Sequence, residues 1–271
     1  MSKVNISQSL IKRIWEYKYE GKCGFAVKNI DLLKKYQRPT TPPMKLGNYF
    51  EYIATGQTLR DGSVPEAPVT NKKVLTADGK RASAQAANFT SLLESKGIEV
   101  LETGVVETIP FNDKYNLKSV KDAVVKTPDY DKATLDLKFT ALLHDKWKDV
   151  GWDVDKFRHR SKLNIQPLFY KYIDYYKYGI TDYPFFYAIH SSKNENDYDF
   201  WEVEVVGFEK IMSQVEDTIH EVIEMIENDD FLPIPEMNQC RTCPLKDDCV
   251  FKELQPKTKV AKVYAVRDEI E

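Results

Sequence analysis

The stretch Thr134-Leu135-Asp136-Leu137-Lys138-Phe139-Thr140 limits the possible folds of this chain more than any other. Leu135, Leu137 and Phe139 alternate with Asp136 and Lys138, and side chains along a strand alternate between faces. The alternation predicts a strand over 133–139, with the apolar residues entering a core and Asp136 and Lys138 sharing the opposite face. Upstream, 115–125 reads as a second strand. The turn residues Thr127-Pro128-Asp129-Tyr130-Asp131 join the two as a hairpin. Asp122 stands on the first strand. Neighbouring strands lie about 5 Å apart, so a matching register brings Asp122 to Asp136 and Lys138. Taken alone, an acid-x-lysine tripeptide also suits an ordinary solvated strand face. Asp122 alone suits a surface acid near a turn.

The remaining pattern supplies elements to cover such a sheet. Residues 7–20 read as a helix capped by Ser7 or Ser9, broken at Gly21 and continued over 24–36. Pro39-Thr40-Thr41-Pro42-Pro43 is a loop, and 44–54 is a helix carrying Glu51. Residues 56–80 have little periodicity and read as an irregular or partly helical insertion. A helix over 81–96 ends at Gly97, and a strand over 98–108 follows. Residues 141–160 are polar and read as a loop with short helix. A helix over 161–178 carries Gln166 and Tyr170, with Pro167 placing its first turn near Gln166. Strands over 183–190 and 200–206 precede an amphipathic helix over 208–228. This order predicts an α/β fold with a mixed central sheet flanked by helices. It is read as one domain over 1–271, with a helical N-terminal region over 1–54, a sheet core over 98–207 and a cysteine-bearing segment over 231–251.

Charge and hydropathy narrow the function. The net charge of −3 excludes a strongly basic coat but not a local basic groove. No apolar run reaches the length of a membrane span, and the N-terminus lacks a secretory apolar region. A cytoplasmic location without membrane contact is expected. Cysteines in that compartment are expected to stay out of disulfides.

Two sets of residues carry chemistry. Asp122 and Asp136 are hard oxygen donors suited to Mg²⁺ or Mn²⁺. A cation there lowers the pKa of water and neutralises charge on a phosphate. The Lys138 ammonium can orient the water or stabilise developing charge. The second set is the four cysteines. Cys240, Cys243 and Cys249 form C-x-x-C-P-x-x-x-x-C, and Cys23 stands alone near the other end. Four thiolates suit a [4Fe–4S] cluster or a structural Zn²⁺. Unrelated thiols are the bland alternative.

The order Gly47-x-x-x-Glu51, Asp122, Asp136-x-Lys138, Gln166-x-x-x-Tyr170 resembles the PD-(D/E)XK nuclease superfamily, in its RecB-like branch. With the cysteines it is similar to the iron–sulfur nucleases of that branch, including the CRISPR-associated adaptation exonucleases. The resemblance spans Ser7 to Cys249 and omits the 56–80 insertion and the tail after 252. Glu51 stands where His is frequent, Asp136 where Glu is frequent, and Ser119 where Gly is common. The resemblance implies a restriction-endonuclease-like core whose metal is held by Glu51, Asp122 and Asp136. It implies catalytic roles for Lys138, Gln166 and Tyr170, against solvated helix for Glu51 and plain packing for Gln166 and Tyr170. It favours a structural iron–sulfur cluster on Cys23, Cys240, Cys243 and Cys249, joining the N- and C-terminal segments. It implies exonuclease action on single-stranded or end-processed DNA, with 5′ polarity. A helicase, a recombinase or a CRISPR-adaptation protein is the implied partner. No G-x-x-x-x-G-K-[ST] occurs, so unwinding needs such a partner. Lys156, Arg158, Arg160 and Lys162 would contact phosphates, and Trp147 and Trp152 would stack on bases or pack in the core. The competing reading is a DNA-binding or assembly protein on a nuclease-like scaffold, suggested by the mild charge and the departures at Glu51 and Asp136.

Overall fold

A computed structural model describes residues 3–59, 61–143, 152, 164–181 and 183–251. The chain divides into two compact units, one of Met1–Asn5 with Thr40–Ser213, the other of Ile6–Pro39 with Gln214–Glu271.

The first unit is built on the sheet. Its strands are β2 (Glu99–Pro110), β3 (Tyr115–Lys126), β4 (Ala133–Thr140), β5 (Phe185–Ser191) and β6 (Tyr198–Glu202), with the start of β1 (Val4–Ser7) joining β3. The strand order is β1-β3-β4-β5-β6, and β2 also pairs with β3. β2–β3, β3–β4 and β5–β6 are antiparallel, whereas β4 and β5 are parallel, so the sheet is mixed as expected. The β3–β4 turn closes locally. Thr127 donates its N–H to the Tyr130 carbonyl at 2.9 Å, and its hydroxyl accepts from the Tyr130 N–H at 3.0 Å.

Helices cover the sheet. On one side, Phe50 from α3 (Pro42–Thr55) and Ala82, Ala86, Phe89 and Leu93 from α4 (Ala77–Ser95) pack with Ala123, Val125, Leu135, Leu137 and Ala188. Leu135 and Leu137 enter this core as their alternation requires. The helix here called α5 (Ile165–Tyr178) buries Phe169, Tyr170, Tyr172 and Ile173. Tyr170 meets Phe185, which meets Tyr187 at 4.9 Å between ring centroids.

Several boundaries move for local reasons. α3 begins at Pro42 rather than 44, because Pro lacks an N–H that the first helical turn would leave unbonded, and the Thr41 hydroxyl caps the Met44 N–H. α4 begins at Ala77 rather than 81, because the Thr76 hydroxyl accepts from the Gly79 N–H at 3.1 Å. Residues ahead of it are irregular, apart from an isolated bridge between Val69 and Leu75.

The second unit is helical. α1 (Gln8–Glu20) is capped by Ser7 and stopped by Gly21, whose φ of 64° is the left-handed value that favours glycine. The expected helix over 24–36 is instead a short turn, α2 (Gly24–Ala26), followed by a π-helix over Val27–Leu32. α6 (Phe208–Glu227) has its greater part in this unit, and α7 (Met237–Arg241) carries Cys240. Leu10, Ile11, Ile14, Val27, Ile30, Ile219 and Val222 are buried here.

Candidate active site

The β3–β4 ladder is short, and the site forms where it stops. Only Ala123, Val124 and Val125 pair with β4, against Leu135, Thr134 and Ala133. At the next residue a side chain replaces the backbone bond, as Asp122 Oδ2 accepts from the Leu137 N–H at 2.8 Å. Two residues back, the Tyr170 hydroxyl donates to the Val120 carbonyl at 2.6 Å and lies 3.4 Å from the Val120 N–H. Backbone polar groups that lose a strand partner need another. Here Asp122 supplies it for the Leu137 N–H, and Tyr170 for the Val120 carbonyl and N–H.

The divergence turns Asp122 towards the acid on β4. Asp136 is 1% exposed. Its Oδ2 accepts from the Lys138 ammonium and its Oδ1 from the Gln166 amide. Glu51 on α3 completes an acidic group. Burial pushes the Glu51 carboxyl up to about 7, and the Asp122 charge adds to this against the pull of Lys138. Burial pushes Asp136 up to about 8, reinforced by Asp122 and Glu51 and opposed by Lys138. Burial also raises Asp122, against Lys138 and the Leu137 N–H. Burial disfavours the Lys138 ammonium, yet Asp136, Asp122 and Glu51 outweigh it and hold its pKa above the ordinary lysine value. Lys138 is therefore a cation at neutral pH, suited to stabilising negative charge and not to taking a proton.

All six residues singled out in the sequence thus belong to one connected site in the first unit. The Asp122 charge raises the Glu51 pKa, and both raise that of Asp136. Carboxylates are hard oxygen donors, and a divalent cation held among them would relieve that repulsion. Asp122 Oδ2 and both Asp136 oxygens are bonded to protein donors, and among the described residues no group of three or more His, Cys, Asp or Glu is arranged to hold a metal ion.

The four cysteines all lie in the second unit and are free and partly buried. They line one cavity of about 240 Å³ together with Arg13, Lys22 and Arg38. Cys23 is held from both sides. Its Sγ accepts from the Ile234 N–H at 3.4 Å, and its N–H donates to the Gln239 side chain at 3.3 Å. Burial raises the Cys243 thiol, and Cys23, Cys240 and Cys249 are close enough to raise it further.

Some expected contacts fall elsewhere. Lys156, Arg158, Arg160, Lys162 and Trp147 lie outside the described residues. Trp152 is buried against Tyr187 and Trp201, at 4.9 and 5.5 Å between ring centroids, which suits packing rather than base stacking. The sequence reading missed Lys121, Asp174 and Glu107, which form a buried charged group beside Asp122. A signal existed, because Lys121 stands in the inward alternation Leu117-x-Ser119-x-Lys121-x-Ala123, where a charge demands a partner.

The fold has a counterpart among solved structures. The crystal structure of a candidate exonuclease from Eubacterium rectale matches 95% of this chain and 91% of its own, with 21% identity and a TM-score of 0.62. That likeness shows a shared fold, a mixed α/β architecture with helices flanking the sheet. The structure of SSO0001 aligns over 93% of this chain and 88% of its own, with 14% identity and a TM-score of 0.38, too distant to bear on the fold. No protein-family model and no curated protein matches the chain. No helix among the described residues is long and apolar enough to cross a membrane.

Proposed function

We propose that this chain is a metal-dependent DNA nuclease of the RecB-like PD-(D/E)XK kind, acting as an exonuclease on single-stranded or end-processed DNA. One observation carries the reading. Glu51, Asp122, Asp136 and Lys138 interact as one charged group around the buried Asp136 where β3 leaves β4. The shared fold with a candidate exonuclease supports it.

Glu51, Asp122 and Asp136 would hold Mg²⁺ or Mn²⁺, which when bound activates water and neutralises charge on the scissile phosphate. Lys138 orients that water and offsets charge on the phosphate oxygens as they become more negative. Gln166 holds one oxygen of the Asp136 carboxylate and Lys138 the other, which together fix its orientation. Tyr170 braces β3 beneath Asp122 through Val120. The water adds to phosphorus and releases a proton to solvent, while the P–O bond to the sugar breaks and the sugar oxygen takes up a proton from solvent, so no residue becomes covalently attached to DNA.

In the second unit, Cys23, Cys240, Cys243 and Cys249 would hold a structural [4Fe–4S] cluster. Zinc on the same four thiols is the alternative; the lone early Cys23 and the resemblance to iron–sulfur nucleases favour the cluster. Its role would be to clip Cys23 to the C-terminal segment, and unwinding would come from a partner such as a helicase.

The test is cleavage of end-labelled linear single- and double-stranded DNA by anaerobically purified protein. It is run with Mg²⁺, with Mn²⁺ and with EDTA, beside Lys138→Ala. The expected result is metal-dependent cleavage with 5′ polarity, reduced about 10²- to 10³-fold in the variant. Folded, cluster-loaded protein that binds DNA and cleaves neither substrate would instead support the non-cleaving scaffold.

A further inference from the structure

We propose that the buried Lys121–Asp174 pair, backed by Glu107, is a positioning element that sets Asp122 for the cation. This inference rests on the nuclease reading above. Asp122 is the first residue of β3 beyond its ladder with β4, so the ladder does not fix it. On one side β2 holds this segment, pairing Val105 with Lys121 and Val106 with Val120. On the other side the segment depends on α5.

α5 makes that connection at intervals of four residues, which places the contacts on one helix face. Gln166 bonds Asp136, Tyr170 bonds the Val120 backbone, and Asp174 Oδ1 accepts from the Lys121 ammonium at 2.8 Å. Lys121 also lies 3.3 Å from Glu107 Oε2 and 4.9 Å from the Tyr183 ring centroid. Glu107 is fixed in turn by Lys177 at 2.7 Å and the Tyr178 hydroxyl at 2.8 Å. One helix therefore grips both acid-bearing strands.

A buried ion pair seldom stabilises a fold more than apolar residues of the same volume would, but it accepts few alternative geometries. That property matters at this position. Successive strand residues face opposite ways, so a slip of one residue would exchange Lys121 with Asp122 and remove the carboxylate from the site. Lys121 and Asp174 bear only on the geometry of β3, and no feature requires either to touch DNA or the cation.

The test uses the full chain carrying Lys121→Met with Asp174→Leu, and separately Asp174→Asn. Mn²⁺ affinity is measured by electron paramagnetic resonance without DNA. Amide hydrogen exchange at Leu137, whose N–H is bonded by Asp122, is measured in EDTA. Mn²⁺ affinity is expected to fall about 10- to 100-fold. Leu137 exchange is expected to rise at least about tenfold while Leu135 and Ala188 stay protected. Cleavage should recover at high Mn²⁺, giving a raised metal requirement with a nearly unchanged maximal rate. If the double substitution unfolds the protein, the isosteric Asp174→Asn decides by the same readouts. Native Mn²⁺ affinity together with native Leu137 protection would overturn the proposal. Failure of the unsubstituted protein to bind Mn²⁺ would overturn the nuclease reading instead, and Leu137 exchange would still decide the positioning role.

Discussion

The acidic site of the first unit and the cysteine cavity of the second are organised in opposite ways. The carboxylates sit on a sheet covered by helices, and protein donors already fix Asp122 and Asp136. The cysteines come from short segments, the Cys23 turn and the region around α7, and they line a cavity instead of filling one another's contacts. The first site is shaped by folding itself. On the proposed reading the second would depend on a bound group, since such a group between distant segments restricts the unfolded chain as well as joining the folded one.

The difference can be broken most forcefully at the cysteines. Cys243→Ser is expected to remove the visible absorbance of a bound cluster and lower the melting temperature by about 5–10 °C, a loss of roughly 2–3 kcal/mol. Lys138→Ala should leave the absorbance unchanged while reducing cleavage about 10²- to 10³-fold. Calorimetry and absorbance on Cys243→Ser beside the unsubstituted protein check this, and equal melting temperatures of those two would mean that the cysteines bind nothing structural.

A smaller effect sharpens the account of the first unit. His190 is buried on the core side among Phe50, Phe89 and Tyr198. The Gln85 amide nitrogen donates to the Asn194 and Asp197 carbonyls at 2.7 and 2.8 Å, which leaves its oxygen to accept from His190 Nδ1 at 2.8 Å. His190 Nε2 has no hydrogen-bond partner among the described residues. Burial lowers the His190 pKa to about 4. The fold therefore favours the neutral ring. That contribution is complete above the unfolded value near 6.5 and is lost as pH falls towards 4, by about 3 kcal/mol in all. Urea midpoints between pH 7 and 4 should fall more steeply in the native protein than in His190→Gln, and parallel curves would show that His190 does not titrate this way.

The smallest expected effect is that of Tyr170→Phe. Removing the hydroxyl leaves the Val120 carbonyl and N–H without it, at a cost of about 1–3 kcal/mol. Denaturation should report that loss, with cleavage reduced far less than by Lys138→Ala. A loss as large as that of Lys138→Ala would place Tyr170 in the chemistry rather than in the brace.

Much of this was legible in the chain. The alternation around Leu135 and Leu137 defined β4, the Pro-Asp turn defined the hairpin, and the residue order singled out Glu51, Asp122, Asp136, Lys138, Gln166 and Tyr170. Local rules suffice for the strand and the hairpin, because strand faces and turns depend on near neighbours, whereas Glu51, Gln166 and Tyr170 were singled out only by the resemblance. β1 was too short to show a period, and the π-helix over Val27–Leu32 breaks the spacing that a helix reading relies on.

The amino-acid order by itself determined which residues could meet across one hairpin and which four thiols could share a ligand. Only the tertiary structure decided that the β3–β4 ladder ends at Ala123, and that α5 meets both strands at Gln166, Tyr170 and Asp174. Only it decided that Lys121 is buried with Asp174. These contacts join residues 30 to 53 positions apart. Their energies depend on burial and on the direction of approach, which arise when the helix docks on the sheet and have no counterpart in local sequence.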